Sequence, residues 1–240
     1  MTRKLLVVAA SGLVLAILLL SAAWAIGGKQ MVAAIRSGGW HYNDRHFTIN
    51  DDDHGPVATR SLAFDPAVPL VVDAPVDLHF VRGEHPGMTV SGPARLISAL
   101  RWENGRLSLR DTAGWTGRSL DIEIVAPKLP PLTLAGAGDV SLKDLDQDEL
   151  QLNLSGAGDF NVSGKVRMVT VASSGAGDID LGKLDATDAT VALSGMGSID
   201  LNATGRVAVT VSGAGNVTLH RKPAELTSQI SGVGSVEQDY

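Results

Sequence analysis

Six copies of one short text constrain what this chain can fold into. LAGAGDV, LSGAGDF, SSGAGDI, LSGMGSI, VSGAGNV and ISGVGSV place their first glycine at Gly136, Gly156, Gly175, Gly195, Gly213 and Gly232, at spacings of 20, 19, 20, 18 and 19 residues. A Gly-x-Gly that occurs once can cradle a phosphate. Six copies at a nearly fixed period mark a repeat architecture instead.

Aligned on the first glycine, the copies stack apolar residues into columns. Four residues on stand Val140, Phe160, Ile179, Ile199, Val217 and Val236; six on stand Leu142, Val162, Leu181, Leu201 and Leu219, with Gln238 in the last copy. Two residues before it stand Leu134, Leu154, Ser173, Leu193, Val211 and Ile230, and four before it Leu132, Leu152, Val171, Val191, Val209 and Ser228. Each unit reads as an alternating strand, a glycine bend and a second alternating strand. One unit cannot bury its apolar face alone, whereas stacked units share a continuous interior. The expected fold is therefore all-β: a β-solenoid of parallel strands with coils of about 19 residues, regular over residues 130–238. A propeller blade needs about 40 residues, although a half-blade period stays open. The last copy puts Ser228 and Gln238 in interior columns, beside Glu237 and Asp239, which blunts an end edge against further pairing.

The corner itself carries the sharpest chemical question. Its two glycines flank one small residue, and a bend there needs positive φ or a close approach of backbones. Met196 and Val233 at the middle position imply a side chain that points outward. After the second glycine stand Asp139, Asp159, Asp178, Ser198, Asn216 and Ser235. Stacking puts the three carboxylates about 5 Å apart, where they repel unless solvated or bridged by a cation. Calcium takes such oxygen ligands, so Asp139, Asp159 and Asp178 form a candidate calcium column. The glycine-rich solenoids that bind calcium repeat every nine residues, however, not every 19 or so. All six residues share a short side-chain oxygen that can accept from a backbone N–H two residues on, closing an Asx or ST turn. Corner capping is thus the favoured reading, and no cofactor is expected. A phosphate loop is the weakest reading, since no Lys or Ser/Thr follows in Walker spacing, no helix opens after the loop and the next residue is acidic.

Upstream, VDLHFV, Val76–Val81, alternates like a half-buried strand, and GMTVSG, RLISALRW, GRLSLRD and SLDIEIVAP continue as short alternating pieces between Gly, Pro and Asn. Asp51–Asp53 and His54, followed by Gly55-Pro56, read as a solvated turn, and His79 and His85 have no partner cluster. At the amino terminus, Leu5–Ile26 is a run of 22 uncharged residues behind the basic MTRK. As one hydrophobic helix it can cross a hydrocarbon core of about 30 Å. Residues 1–26 are read as a signal anchor that contacts the membrane through residues 5–26 and leaves its basic end in the cytoplasm. Ala23-Trp24-Ala25 offers the alternative of a signal peptide cleaved near Ala25, giving a periplasmic or secreted protein. Residues 27–46 then form a linker and 47–240 one extracytoplasmic domain. The absence of cysteine excludes disulfides and thiolate metal sites. Residues 131–240 hold 14 acidic against 7 basic residues, which with 4% aromatics argues against nucleic acid.

The repeated G-[AS]-G-[DN]-[VI]-x-L text resembles the putative auto-transporter adhesin, head GIN domain family, a family of unknown function. The resemblance runs from about Ala67 to Val236 and opens with DAPVDLHFVRGEHPGMTVSG, similar to the family's first strand pair. Met196 and Ser198 depart from the commonest corner. It implies a right-handed parallel β-helix in an exported or envelope-associated protein, and brings no catalytic residues. The expected function is non-enzymatic adhesin-like binding or scaffolding at the cell envelope, anchored to the inner membrane, with an envelope polysaccharide or protein as partner. The alternatives are a calcium-binding repeat protein and a β-helix enzyme that degrades polysaccharide. The enzyme needs acids and bases converging in a groove, whereas Asp180 and Asp200 share a column with Asn161 and Thr218, and Lys165, Lys183 and Arg206 scatter at the far turn.

Overall fold

The computed structural model describes residues 56–110 and 118–240. The expected hydrophobic helix, residues 1–26, the linker and the Asp51–His54 turn lie outside the described residues. Among those described, no helix is long and apolar enough to cross a membrane.

In chain order, β1 (Val57–Leu62), β2 (Leu70–Asp73), β3 (Val76–Arg82) and β4 (Gly87–Pro93) precede the helix α1 (Ala94–Ala99). Next come β5 (Leu100–Glu103), β6 (Arg106–Leu109), β7 (Leu120–Ala126) and β8 (Leu132–Leu134). The repeat follows as β9 (Val140–Leu154), β10 (Phe160–Ser173), β11 (Ile179–Leu193), β12 (Met196–Ala203), β13 (Arg206–Val211), β14 (Ala214–Leu219), β15 (Glu225–Ile230) and β16 (Val233–Gln238). These strands build a β-solenoid of about five turns.

Strands of successive coils are parallel and in the register that the columns predict. Phe160 lies between Val140 and Ile179, and Val171 between Leu152 and Val191. Farther on, Ile199 pairs with Ile179 and Val217, and Val209 with Val191 and Ser228. Parallel pairing throughout the repeat removes the propeller and half-blade alternatives. Its inward residues are buried from Val140 to Leu219, so the interior is one continuous apolar stack.

Two further coils precede the glycine corners, and their spatial order is not their chain order. β2 and β3 form a coil stacked on β8 and β9, with Leu70 against Leu132, Val72 against Leu134 and Leu78 against Val140. On the other side of that coil lie β6 and β7, which place Leu107 against Val72 and Ile122 against Leu78. The chain thus lays down one coil, adds another outside it, and crosses back over residues 127–131 to start the regular repeat. Along that crossing Gln147 serves Leu129 as a substitute strand. Its Oε1 accepts the Leu129 N–H at 2.8 Å and its Nε2 donates to the Leu129 carbonyl at 3.1 Å.

Antiparallel strands close this end, with β4 against β7, β1 against β4, and β5 against β6. VDLHFV and GMTVSG are therefore not a strand pair, because β7 stands between them. RLISALRW is likewise not one strand: α1 takes up its first part, behind an extended Pro93. Leu96, Ile97 and Leu100 recur at helical spacing there, and Ile97 and Leu100 are buried.

Ion pairs line the far turn of the coils, where Arg82 meets Asp146 at 2.8 Å, Arg221 meets Asp185 at 3.4 Å and Arg167 meets Glu149 at 3.5 Å. Exposed pairs of this kind are each worth about 1 kcal/mol or less. Among the described residues, two buried polar atoms stand against the apolar interior. The Ser173 hydroxyl, between Leu154 and Leu193, has no hydrogen-bond partner, and neither has the Asn202 side-chain oxygen. The Asn202 amide nitrogen does donate to the Gly182 carbonyl, at 3.4 Å.

An unpaired buried hydroxyl costs about 1–3 kcal/mol. Ser173→Val is therefore expected to stabilise the protein by about 1 kcal/mol, raising the melting temperature by about 2–4 °C for a domain of this size. Calorimetry that found Ser173→Val less stable than the parent would refute this account of the column.

Candidate functional site

The corners bring backbones of neighbouring coils into contact. A Cβ on Gly158 would fall far inside the van der Waals shell of the Gly138 carbonyl, and Gly156 stands in the same relation to Gly136. Gly158 also has φ +148°, a region that disfavours side chains. Between the glycines, Ala137, Ala157, Ala176 and Met196 bridge one another in sequence. The side chain there faces outward, as Met196, 61% exposed, and Val233, 83% exposed, show.

Asp139, Asp159 and Asp178 do stack, and all three are exposed. The expected local turn is not what they make. The Asp139 carboxylate accepts the N–H of Asp159 at 3.2 Å, and that of Asp159 accepts the N–H of Asp178 at 2.8 Å. Asp178 in turn accepts both the N–H and the hydroxyl of Ser198, each at 2.7 Å. Asn216 repeats the pattern with the N–H and hydroxyl of Ser235, at 3.2 and 3.0 Å. Each bond therefore reaches one coil ahead, not two residues along. Parallel strands bring the equivalent residue beside the carboxylate, whereas the residue two positions on already lies in the extended strand that follows the corner. The local turn occurs elsewhere, where Asp180 accepts the Gly182 N–H at 2.8 Å.

Hydrogen bonds from the Ser198 hydroxyl, and then from its N–H, hold the Asp178 carboxyl below the usual aspartate range, against a small opposing effect of burial. A second ladder runs in the opposite direction. The hydroxyls of Ser155, Ser174 and Ser194 donate to the carbonyls of Leu134, Leu154 and Ser173 in the preceding coil, at 3.3–3.5 Å. The Ser before the Gly-x-Gly in five of the six copies was legible as part of the repeat, yet only the register shows what it does.

The acidic column is also longer than the glycines indicate. Asp77 lies opposite Asp121, and the bonds from Val76 N to the Ala137 carbonyl and from Leu78 N to the Asp139 carbonyl place it opposite Asp139 as well. Asp121, Asp77, Asp139, Asp159 and Asp178 form one line. Asp77 additionally accepts a hydrogen bond from the Ser119 hydroxyl. Asp73-Ala74-Pro75 replaces the glycine corner in that coil, so no glycine signal pointed to Asp77 or Asp121.

Asn161, Asp180, Asp200 and Thr218 share a column as expected. Asp200 is held by the His220 ring at 2.9 Å, and Arg206 is drawn to Asp188, at 3.7 Å. Lys165 lies between Asp146 and Asp185, on a different stretch of the coil. Asp180 and Asp200 do not converge with Lys165 or Arg206, although Asp180 and Lys183 line one concavity and Asp146, Asp148, Lys165, Arg167 and Asp185 line another. A concavity of about 650 Å³ lies between Pro66, Lys128, Pro130, Asp148, Glu149 and Arg167, and its Arg167 is paired with Glu149. Among the described residues no group of three or more His, Asp and Glu is placed to hold a metal.

Fold and corner define a class: parallel β-solenoids whose most repeated polar side chains tie one coil to the next. Residues 69–223 match the family described as putative auto-transporter adhesin, head GIN domain, and the chain belongs to that family. Its fold is similar to that of a putative adhesin from Bacteroides fragilis, at TM-score 0.60 and 19% identity, covering 76% of this chain and 97% of that one. A putative lipid binding protein from Parabacteroides distasonis aligns at TM-score 0.49 and 18% identity, over 77% and 97%. No curated protein matches the chain.

Two expectations follow from the corner. Gly158→Ala should cost about 2–4 kcal/mol in urea unfolding, from backbone strain and overlap, while Ala157→Met stays within about 0.5 kcal/mol. The lowered Asp178 carboxyl contributes stability that is present above the usual aspartate pKa and lost as pH falls through its folded value. Asp178→Asn, which keeps an acceptor oxygen but cannot titrate, should flatten that acid-side loss in melting curves taken against pH.

Proposed function

We propose that this is a non-enzymatic protein of the cell envelope, exported and held at the inner membrane by residues 1–26, that presents a rigid solenoid for adhesin-like binding or scaffolding. The observation that supports it most is how the corner's polar groups are used. Asp139, Asp159, Asp178, Asn216 and the serines are engaged in bonds between coils, which fix shape, and Asp180 and Asp200 do not meet Lys165 or Arg206 in a groove. Family membership favours the same reading. In this reading the carboxylate line is metal-free. Its members are solvated, and Asp139, Asp159 and Asp178 each use an oxygen to accept an N–H from the next coil. The partner is an envelope polysaccharide or protein.

The test is co-sedimentation of the detergent-solubilised full chain with isolated bacterial envelopes and purified cell-wall polysaccharide, in calcium and in chelator. Saturable binding of equal strength in both buffers is expected, with no fragments released from pectin, alginate or peptidoglycan. Calcium should leave the melting temperature unchanged. A bridging ion at 100 times its dissociation constant would add about 2.7 kcal/mol, a shift easily seen, and would overturn the metal-free reading. Turnover of any of the three polymers would overturn the non-enzymatic one.

A further inference from the structure

The two ends of the solenoid differ. At one, antiparallel β4 and β1 lie over β7, so the parallel pattern of the coils is broken there. At the other, β15 pairs only with β13, and β16 only with β14. Each of these strands keeps one hydrogen-bonding edge unused among the described residues. Edge strands are commonly guarded by lysine, proline or a bulge. The polar residues expected to blunt this end fall mostly on β16, with Glu237 and Gln238, whereas β15 has Ser228 and a single charge, Glu225; neither strand contains lysine or proline.

The inward residues of β15 follow from register: Leu226, Ser228 and Ile230 lie against Val207, Val209 and Val211. Among the described residues no further coil covers them. Leu226 is half-buried, Ser228 is exposed and Ile230 is 45% exposed. This set is complementary to itself. In an antiparallel pair, opposite residues face the same side of the sheet. An antiparallel pair of two β15 strands centred on Ser228 sets Leu226 against Ile230 of a second copy, Ile230 against its Leu226, and Ser228 against its equivalent. Outward, Thr227 falls opposite Gln229 and Glu225 opposite Ser231, so no like charges meet. Pairing β15 with β16 of a second copy about Gly232 is worse. It sets Glu225 against Asp239 and Leu226 against Gln238, a like-charge pair and an apolar residue against an amide.

We infer that β15 is a homodimer edge, at which two copies of this chain join tail to tail by antiparallel β15 pairing centred on Ser228. The contact is isologous and closes at two copies. Continued head-to-tail stacking has no parallel coil to receive it at the antiparallel end. The pairing is independent of any envelope ligand.

The absence of cysteine makes the register directly testable in the full chain in detergent. Ser228→Cys places one thiol opposite its equivalent, and mild oxidation should convert most of the protein to a single dimer band on a non-reducing gel. Thr190→Cys, on the outward side of the same face in the middle of the solenoid, should remain monomeric under that treatment. Ile230→Lys should shift the parent's mass in multi-angle light scattering from two copies to one, while Thr190→Lys leaves it at two. A monomeric parent, equal crosslinking of the two cysteine variants, or bands above the dimer would each overturn the proposal.

Discussion

Everything regular in this molecule depends on how closely two backbones can pass at the corner. The glycine pairs of successive coils stack with a carbonyl where a Cβ would otherwise be. That approach sets the coil spacing, and the spacing in turn brings a carboxylate or amide oxygen within reach of the next coil's N–H. A larger residue at Gly156 or Gly158 would part the coils and pull both hydrogen-bond ladders out of reach together. Composition at the neighbouring position is free because its side chain leaves the stack, which is how Met196 and Val233 are accommodated.

Electrostatics yields to this geometry. A line of carboxylates along one ridge is unfavourable in isolation, but the members are solvated and water screens their repulsion. Each inner carboxylate also gains a charge-assisted hydrogen bond, worth more than a neutral one. Where the line stops, Asn216 keeps an acceptor without the charge and takes both the N–H and the hydroxyl of Ser235, while Ser198 donates its hydroxyl back to Asp178.

How much of this could be read from the text depended on whether a residue's partner lay one period away. The interior columns from Val140 to Val217 were legible because each stacks on a residue about 19 positions on. The target of Asp159 was not, since a local turn and a neighbouring coil ask for the same short acceptor. The first two coils were obscured for another reason. Asp73-Ala74-Pro75 has no glycine to announce a corner, and Leu78 finds Ile122 and Val140 through an excursion that no period describes. RLISALRW alternates and also carries a helical spacing, and packing of Ile97 decided for the helix.

That excursion has a consequence for how the chain comes to order. From β9 onward each coil can settle on the one made just before it, a short search that proceeds by local accretion. β3 is different: made early, it is flanked in the end by β7 and β9, both made later, and the loop that joins it to β7 must close first. The segment with the fewest repeat signals is thus the one with the longest search, and the antiparallel cap over β7 is the last thing its closure permits. A chain truncated within β7 would hold β2 and β3 with both edges waiting, whereas one cut after any later corner would lose only the coils beyond the cut.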